Sequence, residues 1–251
     1  MDQQARRTGN ARPLIGCTGL AVTVMLALSG CVAPRGWVYS PTPAADRPAV
    51  SPHTVVVLPL LDERPAQNDN KVWLYWIPFF PYGWQDLSVP ERHPNHINSN
   101  EWLFNPPVDL AASLAAEINN SRLFKEASSA ADPARGELVL QGRLSSTRYE
   151  SRLYSYGVSL VAPALWVLGL PVSSVTNTLA FHLRLEDRAS QKRLWEQTYS
   201  AEHREGALWL YNLPEDFSYD EMLKELMPKI LADLEEAIKQ QQGSAQTRPN
   251  H

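Results

Sequence analysis

The sequence predicts an α/β (α+β) fold, a two-layer sandwich in which helices pack on one face of a mixed sheet. A short β-branched run at 54–60 is typical of a strand that is buried on both faces. Residues 178–187 alternate apolar and polar side chains, and 193–202 return after a turn, which predicts an antiparallel hairpin. An apolar stripe from Leu223 to Ile238 predicts an amphipathic C-terminal helix that covers the sheet.

Further local patterns complete the two layers. Asn105 and two prolines open a helix whose apolar face is formed by Leu110, Leu114 and Ile118. Residues 119–121 are expected to end or weaken this helix. Residues 137–149 alternate and predict a half-buried strand. In the last helix, Pro228 lacks a backbone donor, so we expect a kink or a restart there.

The first 30 residues have the pattern of a secretory signal peptide. Three arginines and one aspartate precede an apolar run at 14–28, which contains no charged residue over fifteen positions. A membrane-spanning helix needs about 20 apolar residues, so this run is too short to span the bilayer. We therefore expect residues 1–30 to direct export and to be removed.

The end of this segment, Leu28-Ser29-Gly30-Cys31, resembles the lipobox of bacterial lipoproteins. The resemblance implies cleavage between Gly30 and Cys31 and attachment of palmitate-type acyl chains to the Cys31 thiol. Two or three such chains hold a protein stably on a membrane, because each buried CH₂ contributes about 0.8 kcal/mol. The alternatives are an ordinary signal peptide with a chance cysteine or an uncleaved anchor. Val32 is not the aspartate associated with inner-membrane retention, so the resemblance favours the outer membrane, with the protein facing the periplasm.

The rest of the chain divides into a tether, one domain and a tail. Residues 31–53 are rich in proline and predict an extended tether, and 241–251 predict a disordered tail. Residues 54–240 form the predicted α/β domain, with an aromatic insert at 72–104 and an apolar segment at 158–174. Removal of residues 1–30 takes three arginines and one aspartate from 23 basic and 27 acidic side chains, which leaves a net charge near −6. This charge disfavours a nucleic-acid partner.

The mature domain resembles a group of periplasmic assembly lipoproteins. The resemblance lies in the VVVLPLLDER strand at 55–64, the helix that leads to LFKEA, and the ELVLQGRL strand at 137–144. The group includes the curli-secretion lipoprotein, the penicillin-binding-protein activator lipoprotein and the amino-terminal domain of the Tol translocation protein. The aromatic run at 72–84 and the apolar run at 158–171 depart from the pattern of this group.

The sequence contains no spacing of residues that is typical of a catalytic site. It has no phosphate-binding glycine loop, nucleophile elbow, calcium loop or zinc-type histidine pair on a helix. His93 and His96 flank a proline and favour a loop, and residues 62–64 favour a solvated turn with a local ion pair. We therefore expect no catalytic residue, metal or cofactor, and no enzymatic activity.

The unusual feature of the sequence is its density of aromatic residues. Residues 72–84 contain seven aromatics in thirteen positions, and Pro78 and Pro81 predict an irregular loop. A second uncharged run at 158–171 could form a buried helical hairpin, a membrane-dipping loop or an oligomer contact, and 207–211 form a smaller patch. The rings either fold back as a satellite core or contact a protein or the bilayer headgroups. The candidate interaction surface consists of Trp73, Tyr75, Trp76, Phe79, Phe80, Tyr82, Trp84 and Trp166.

These observations favour a membrane-anchored envelope lipoprotein that acts as a non-enzymatic binding, assembly or transport-accessory protein. Its expected partners are the membrane, through the acyl chains, and an envelope protein; association into a homo-oligomer is a further alternative. A second hypothesis is a cell-envelope carbohydrate-binding or hydrolytic protein, in which the aromatic rings stack on sugars. A third is a component of an oligomeric lipoprotein pore, in which 158–171 enter the membrane.

Overall fold

The computed structural model describes residues 35–93, 102–207 and 218–246. The predicted signal peptide, the lipobox cysteine Cys31, His96 and most of the 207–211 patch lie outside these ranges. In the described residues, the strands are β1 Arg35–Gly36, β2 Ser51–Val57, β3 Leu61–Asp62, β4 Asn68–Lys71, β5 Tyr82–Leu87, β6 Trp102–Leu103, β7 Phe124–Ser129, β8 Leu138–Tyr154, β9 Ser173–Asp187 and β10 Arg193–Ala207. The helices are α1 Pro106–Ser121, α2 Ala162–Val167 and α3 Tyr219–Gln246, with short 3₁₀ turns at Val72–Trp76, Pro90–Arg92, Pro133–Arg135 and Ser159–Val161.

Eight of the strands form one mixed sheet. Its main order is β10-β9-β8-β2-β7, with β2 parallel to both β7 and β8, and β8, β9 and β10 antiparallel to one another. The long strand β8 pairs with β2 and β3 near its start and with β5 near its end. The predicted mixed sheet is confirmed.

The two long helices cover one face of this sheet. Leu110, Leu114 and Ile118 of α1 have no exposed surface, and Leu223, Ile230 and Leu234 of α3 have none either. They pack on inward-facing side chains of the central strands, which include Val55, Val57, Leu140, Leu144, Leu179, Phe181, Leu183 and Leu185. Each fully buried side chain of this size contributes about 1.5–3 kcal/mol. The predicted α+β sandwich with an amphipathic C-terminal helix is confirmed.

Two features of the strands differ from the sequence prediction. Strand β7 was not predicted, because only Phe124 and Ala127 are buried in its polar sequence FKEASS. Strands β8, β9 and β10 extend to Tyr154, Ser173 and Ala207, beyond the clear alternation of apolar and polar side chains. Pairing with neighbouring strands supplies the backbone hydrogen bonds there, so strong local periodicity is not required.

Helix α3 differs from its prediction at two places. It continues through Pro228 without the restart that was one of the two predicted effects, and Pro228 lies on the exposed side of the helix. It also extends to Gln246, although residues 241–251 were predicted as a disordered tail. The Gln242 amide donates a hydrogen bond to the Val50 carbonyl oxygen (3.3 Å), which ties this end of α3 to the sheet layer.

The segment predicted as a free tether lies on the domain from Trp37 onward. The Trp37 ring stacks on Phe104 at 4.6 Å between ring centroids, and its indole nitrogen donates to the Ser113 hydroxyl (3.1 Å). The Tyr39 hydroxyl donates to the carboxylate of Glu117 (2.7 Å), whose residue is only 2% exposed. Trp37 and Tyr39 pack against the main core and hold this segment on the domain, although its proline-rich composition predicted an extended tether. Residues 37–50 are called the arm below.

Candidate functional site

The two uncharged segments of the sequence lie at one edge of the sheet, where β5 begins, β8 ends and β9 begins. Residues 72–81 connect β4 to β5, and residues 155–171 connect β8 to β9. The Phe79 amide donates to the Gly157 carbonyl oxygen (3.0 Å), and the Ser155 amide donates to the Pro81 carbonyl oxygen (2.9 Å). The two segments therefore form one structural unit, which we call the apolar tip.

A satellite core holds the tip together. Tyr75, Ala162, Trp166 and Val172 are at most 6% exposed, and the Tyr75 and Trp166 rings lie 6.0 Å apart. The Tyr75 hydroxyl donates to the Ser159 carbonyl oxygen (3.1 Å), and burial raises the pKa of this phenol. The Trp166 indole donates to the Tyr154 carbonyl oxygen (3.1 Å). Tyr75 and Trp166, both candidates for the interaction surface, are thus buried and support the tip from inside.

Close backbone packing joins the tip to the sheet. A Cβ atom at Gly83 would lie 2.4 Å from the Val72 carbonyl oxygen, so only glycine allows the 3₁₀ turn to rest on β5. The sequence predicted an irregular loop throughout 72–84, but Tyr82 and Trp84 lie in β5, opposite Tyr154 and Arg152 of β8. The prolines Pro78 and Pro81 precede the strand and do not interrupt it.

The outer surface of the tip is apolar and exposed. Phe79 is 92% exposed, Leu160 81% and Leu168 80%. Phe79 also has a backbone φ of 69°, a left-handed conformation that is costly for a bulky residue and that occurs where the surrounding structure imposes it. The remaining exposed apolar side chains of the tip are Trp73, Trp76, Ile77, Phe80, Val158, Val161, Val167 and Leu170. Large exposed apolar side chains are therefore concentrated on the two segments of the tip.

The predicted surface residues therefore fall into three groups. Trp73, Trp76, Phe79 and Phe80 are exposed on the tip, Tyr82 and Trp84 are half-buried at its base, and Tyr75 and Trp166 are buried. The aliphatic side chains of residues 158–170 share the exposed surface, although they were not named individually as candidates. The signal that could have identified them is the uncharged stretch at 158–171.

Below the tip, the β5–β8 ladder changes from aromatic to charged. Tyr82 lies opposite Tyr154, Trp84 opposite Arg152, and Asp86 opposite Glu150. The Lys71 ammonium lies 5.1 Å from the Trp84 ring centre, and the Arg152 guanidinium lies 5.4 Å from the Tyr82 ring centre. Arg148 precedes Glu150 by two residues on β8 and so lies farther from the tip. It binds both carboxylate oxygens of Asp86 at 2.8 and 2.7 Å, which lowers the pKa of Asp86.

A buried ion cluster lies between the tip and the main core. The side chain of Arg64 has no exposed surface and binds Asp62 at 2.8 and 2.9 Å and Glu91 at 2.8 and 3.2 Å. It also donates to the Thr147 hydroxyl. The hydrogen bonds from Arg64 lower the pKa of Asp62. The predicted ion pair within residues 62–64 is present. The prediction of a solvated turn is wrong for Arg64, because its side chain is buried.

A cleft of about 540 Å³ lies at the opposite end of the domain and is bordered by His53, Asp187 and Lys192, among others. Backbone and hydroxyl donors of Ser190 lower the pKa of Asp187. Within residues 35–93, 102–207 and 218–246, no group of three histidine, cysteine or acidic side chains is placed to hold a metal ion. No helix in these ranges is both long and apolar enough to cross a membrane.

Several solved structures resemble this chain distantly, and two of them come from Xanthomonas campestris and Neisseria meningitidis. A Xanthomonas campestris protein of the DUF330 family model aligns with a TM-score of 0.47 and 8% sequence identity, covering 83% of this chain and 99% of that chain. The lipoprotein GNA1162 from Neisseria meningitidis aligns with a TM-score of 0.25 and 16% identity, covering 72% of this chain and 99% of that chain. No family model and no curated protein matches the sequence. At TM-scores below 0.5, neither neighbour assigns a function to this chain.

Proposed function

We propose that this chain is a lipid-anchored protein of the bacterial cell envelope, held at the outer membrane through Cys31, that works as a non-enzymatic binding, assembly or transport-accessory factor. Its binding surface is the apolar tip. The single observation that carries this proposal is the exposed apolar surface around Phe79, Leu160 and Leu168. The lipobox at 28–31 supports the anchor, and the resemblance to periplasmic assembly lipoproteins supports the accessory role.

Two described carboxylates near the base of the tip, Asp62 and Asp86, are held in ion pairs that are typical of a structural role. A glycosidase needs two carboxyl groups at a defined separation, one of them with a raised pKa. Asp62 and Glu91 share the Arg64 guanidinium, and the pKa of Asp62 is lowered. Asp86 is likewise bound by Arg148, with a lowered pKa. These ion pairs stabilise the ionised forms of Asp62 and Asp86.

The anchor is tested by metabolic labelling with a clickable palmitate analogue. The wild-type protein is expected to incorporate the label, and the Cys31→Ser variant is expected to lose it. Equal labelling of the two proteins, or an unlabelled wild type, would remove the lipid anchor from the proposal. The two proteins are compared at equal abundance, because a non-lipidated precursor is also subject to degradation.

The role of the tip is tested by photo-crosslinking in intact cells. A photoreactive amino acid replaces Leu168 on the tip or, as the control, Ala189, which is exposed in the turn between β9 and β10 at the opposite end of the domain. We expect a specific adduct, to protein or to lipid, at position 168 and none at position 189. Adducts at neither position, or equally at both, would contradict the assignment of the tip as the binding surface.

A further inference from the structure

We propose that the occupant of the apolar tip is a lipid bilayer, into whose interface the tip inserts. This inference rests on the proposed function, since it names the partner of the same surface. The tip is defined by residues 72–81 and 155–171, and neither segment contains Asp, Glu, Lys, Arg or His. One residue in five of the whole chain is charged, so the tip differs sharply from the rest of the molecule.

The first argument for a bilayer is the order of side chains along the β5–β8 ladder. The exposed apolar residues occupy the end, and Tyr82 pairs with Tyr154 directly below them. Arg152, opposite Trp84, lies over the Tyr82 ring, and Lys71 lies over the Trp84 ring; beyond these come Asp86, Glu150 and Arg148. Because side chains on one face of a strand repeat every two residues, these layers are about 7 Å apart. Apolar, aromatic and charged layers follow one another in the same order from the acyl region of a bilayer through its interface to water.

The second argument is the shape of the apolar surface. Phe79, Leu160 and Leu168 are each at least 80% exposed, so they project from the tip and do not line a groove. A protein partner would have to supply a matching apolar cavity, and protein interfaces commonly place polar and charged residues at their rim. The fluid acyl chains of a bilayer, in contrast, can surround a projecting apolar surface of any shape. Charged groups are disfavoured there, which accounts for their absence from both segments.

The third argument is the direction from which the chain enters the domain. Strand β2 runs parallel to β8, toward the tip, and α1 returns from Leu60, whose amide donates to the Pro107 carbonyl oxygen, toward the start of β2. The arm follows α1 in the same direction, from the Trp37 contact with Ser113 to the Arg47 contact with Ser121. The chain before Trp37 therefore enters the domain from the side on which the tip lies.

This entry point favours a membrane over a distant protein partner. Arg35, the first described residue, pairs with Trp102 just before the start of α1. Cys31 lies four residues earlier in the sequence, a distance that an extended chain spans in at most about 14 Å. A lipid on Cys31 would therefore attach the domain on this side, which is compatible with a tip that inserts into the same bilayer.

The test uses a chain that begins at Val32 and so carries no thiol for acylation. Residues 35–251 form one compact unit that contains the whole main core, so this chain keeps every described contact. It is sedimented with sucrose-loaded vesicles of phosphatidylcholine. We expect measurable partition into these uncharged vesicles, changed by less than about twofold at high salt, because the tip carries no charge to be screened.

A tip variant and a control variant separate the tip from general apolar exposure. Phe79→Ser, Leu160→Ser and Leu168→Ser together are expected to lower the partition coefficient at least about tenfold. Leu61→Ser removes a side chain that is 59% exposed on β3, away from the tip and from β1 and β6, and should change it by less than about twofold. Urea unfolding checks that both variants fold as the wild type does. The single variant Leu168→Asp, at a position 80% exposed, is expected to weaken binding without unfolding the tip.

The outcomes separate this inference from the function proposed above. Wild-type protein that stays in the supernatant, or a tip variant that binds as the wild type does, overturns bilayer insertion. Self-association in solution that the tip variant abolishes, without vesicle binding, assigns the tip to a second copy of the chain. Neither result affects palmitate labelling of Cys31 or a crosslink from position 168 to a protein. Conversely, loss of labelling refutes the anchor and leaves vesicle binding by the lipid-free chain unchanged.

Discussion

Replacement of Arg64 by methionine is expected to destabilise the domain strongly. The Arg64 guanidinium has no exposed surface and binds the carboxylates of Asp62 and Glu91 with two hydrogen bonds each. Methionine fills much of the volume but leaves Glu91, whose side chain is 6% exposed, without its cation. Removal of one partner from a buried ion pair costs about 3–5 kcal/mol. At about 2–4 °C for each kcal/mol, the melting temperature should fall by roughly 10 °C.

Urea unfolding, followed by tryptophan fluorescence on the chain from Val32 onward, measures this loss. In the Arg64→Met background, Glu91→Gln should recover part of the stability, because it removes the unpaired buried charge, whereas the same change in the wild type is destabilising. A loss below about 1 kcal/mol for Arg64→Met, or additive effects of the two substitutions, would refute the account of a buried network.

The same network predicts a pH dependence with a definite sign. The folded-state pKa of Asp62 is lowered by Arg64, so the stability from this pair is fully present above the unfolded pKa of about 3.9. It is lost as the pH falls through the lower folded-state pKa. We expect the unfolding free energy of the wild type to decline more steeply below about pH 4 than that of Arg64→Met.

Three further substitutions test other parts of the structure. Tyr39→Phe removes the hydrogen bond to the buried Glu117 carboxylate and should cost about 1–3 kcal/mol in urea unfolding, or nothing if the arm does not pack on α1. Gly83→Ala places a Cβ atom 2.4 Å from the Val72 carbonyl oxygen and should cost about 1–3 kcal/mol, as measured by thermal melting. Gly243→Ala, in α3 with open space around it, serves as the matched control and should stabilise by up to about 1 kcal/mol; a loss there would contradict the extension of α3.

Much of the fold followed from local patterns. The alternation at 178–187 predicted an inward-facing row, and Leu179, Phe181, Leu183 and Leu185 are all at most 1% exposed. The spacing of Leu110, Leu114 and Ile118 predicted the buried face of α1 in the same way. Strand β7 escaped detection because its backbone is held by β2 and its own side chains are mostly polar. The continuity of α3 through Pro228 also depends on packing, since proline alone disfavours a helix interior.

The candidate site was only partly predictable. The uncharged runs at 72–84 and 158–171 identified both segments of the tip, yet they left open whether the rings are buried or exposed. The structure divides them: Tyr75 and Trp166 form the satellite core, and Phe79 projects into solvent. That division depends on hydrogen bonds such as the one from Phe79 to Gly157, which joins residues 78 positions apart and leaves no local signal.

The sequence alone determined the periods of the main strands and helices and the two uncharged segments, and its lipobox at Cys31 stands as a prediction. These properties are local, because a repeat of two or 3.6 residues or an apolar run is contained within one segment. Only the tertiary structure decided that the arm packs on α1, that Arg64 is buried with Glu91, and that residues 72–81 meet 155–171 in one tip. Each of these contacts joins residues far apart in the chain, and their burial depends on the surfaces that the assembled sheet and helices bring together.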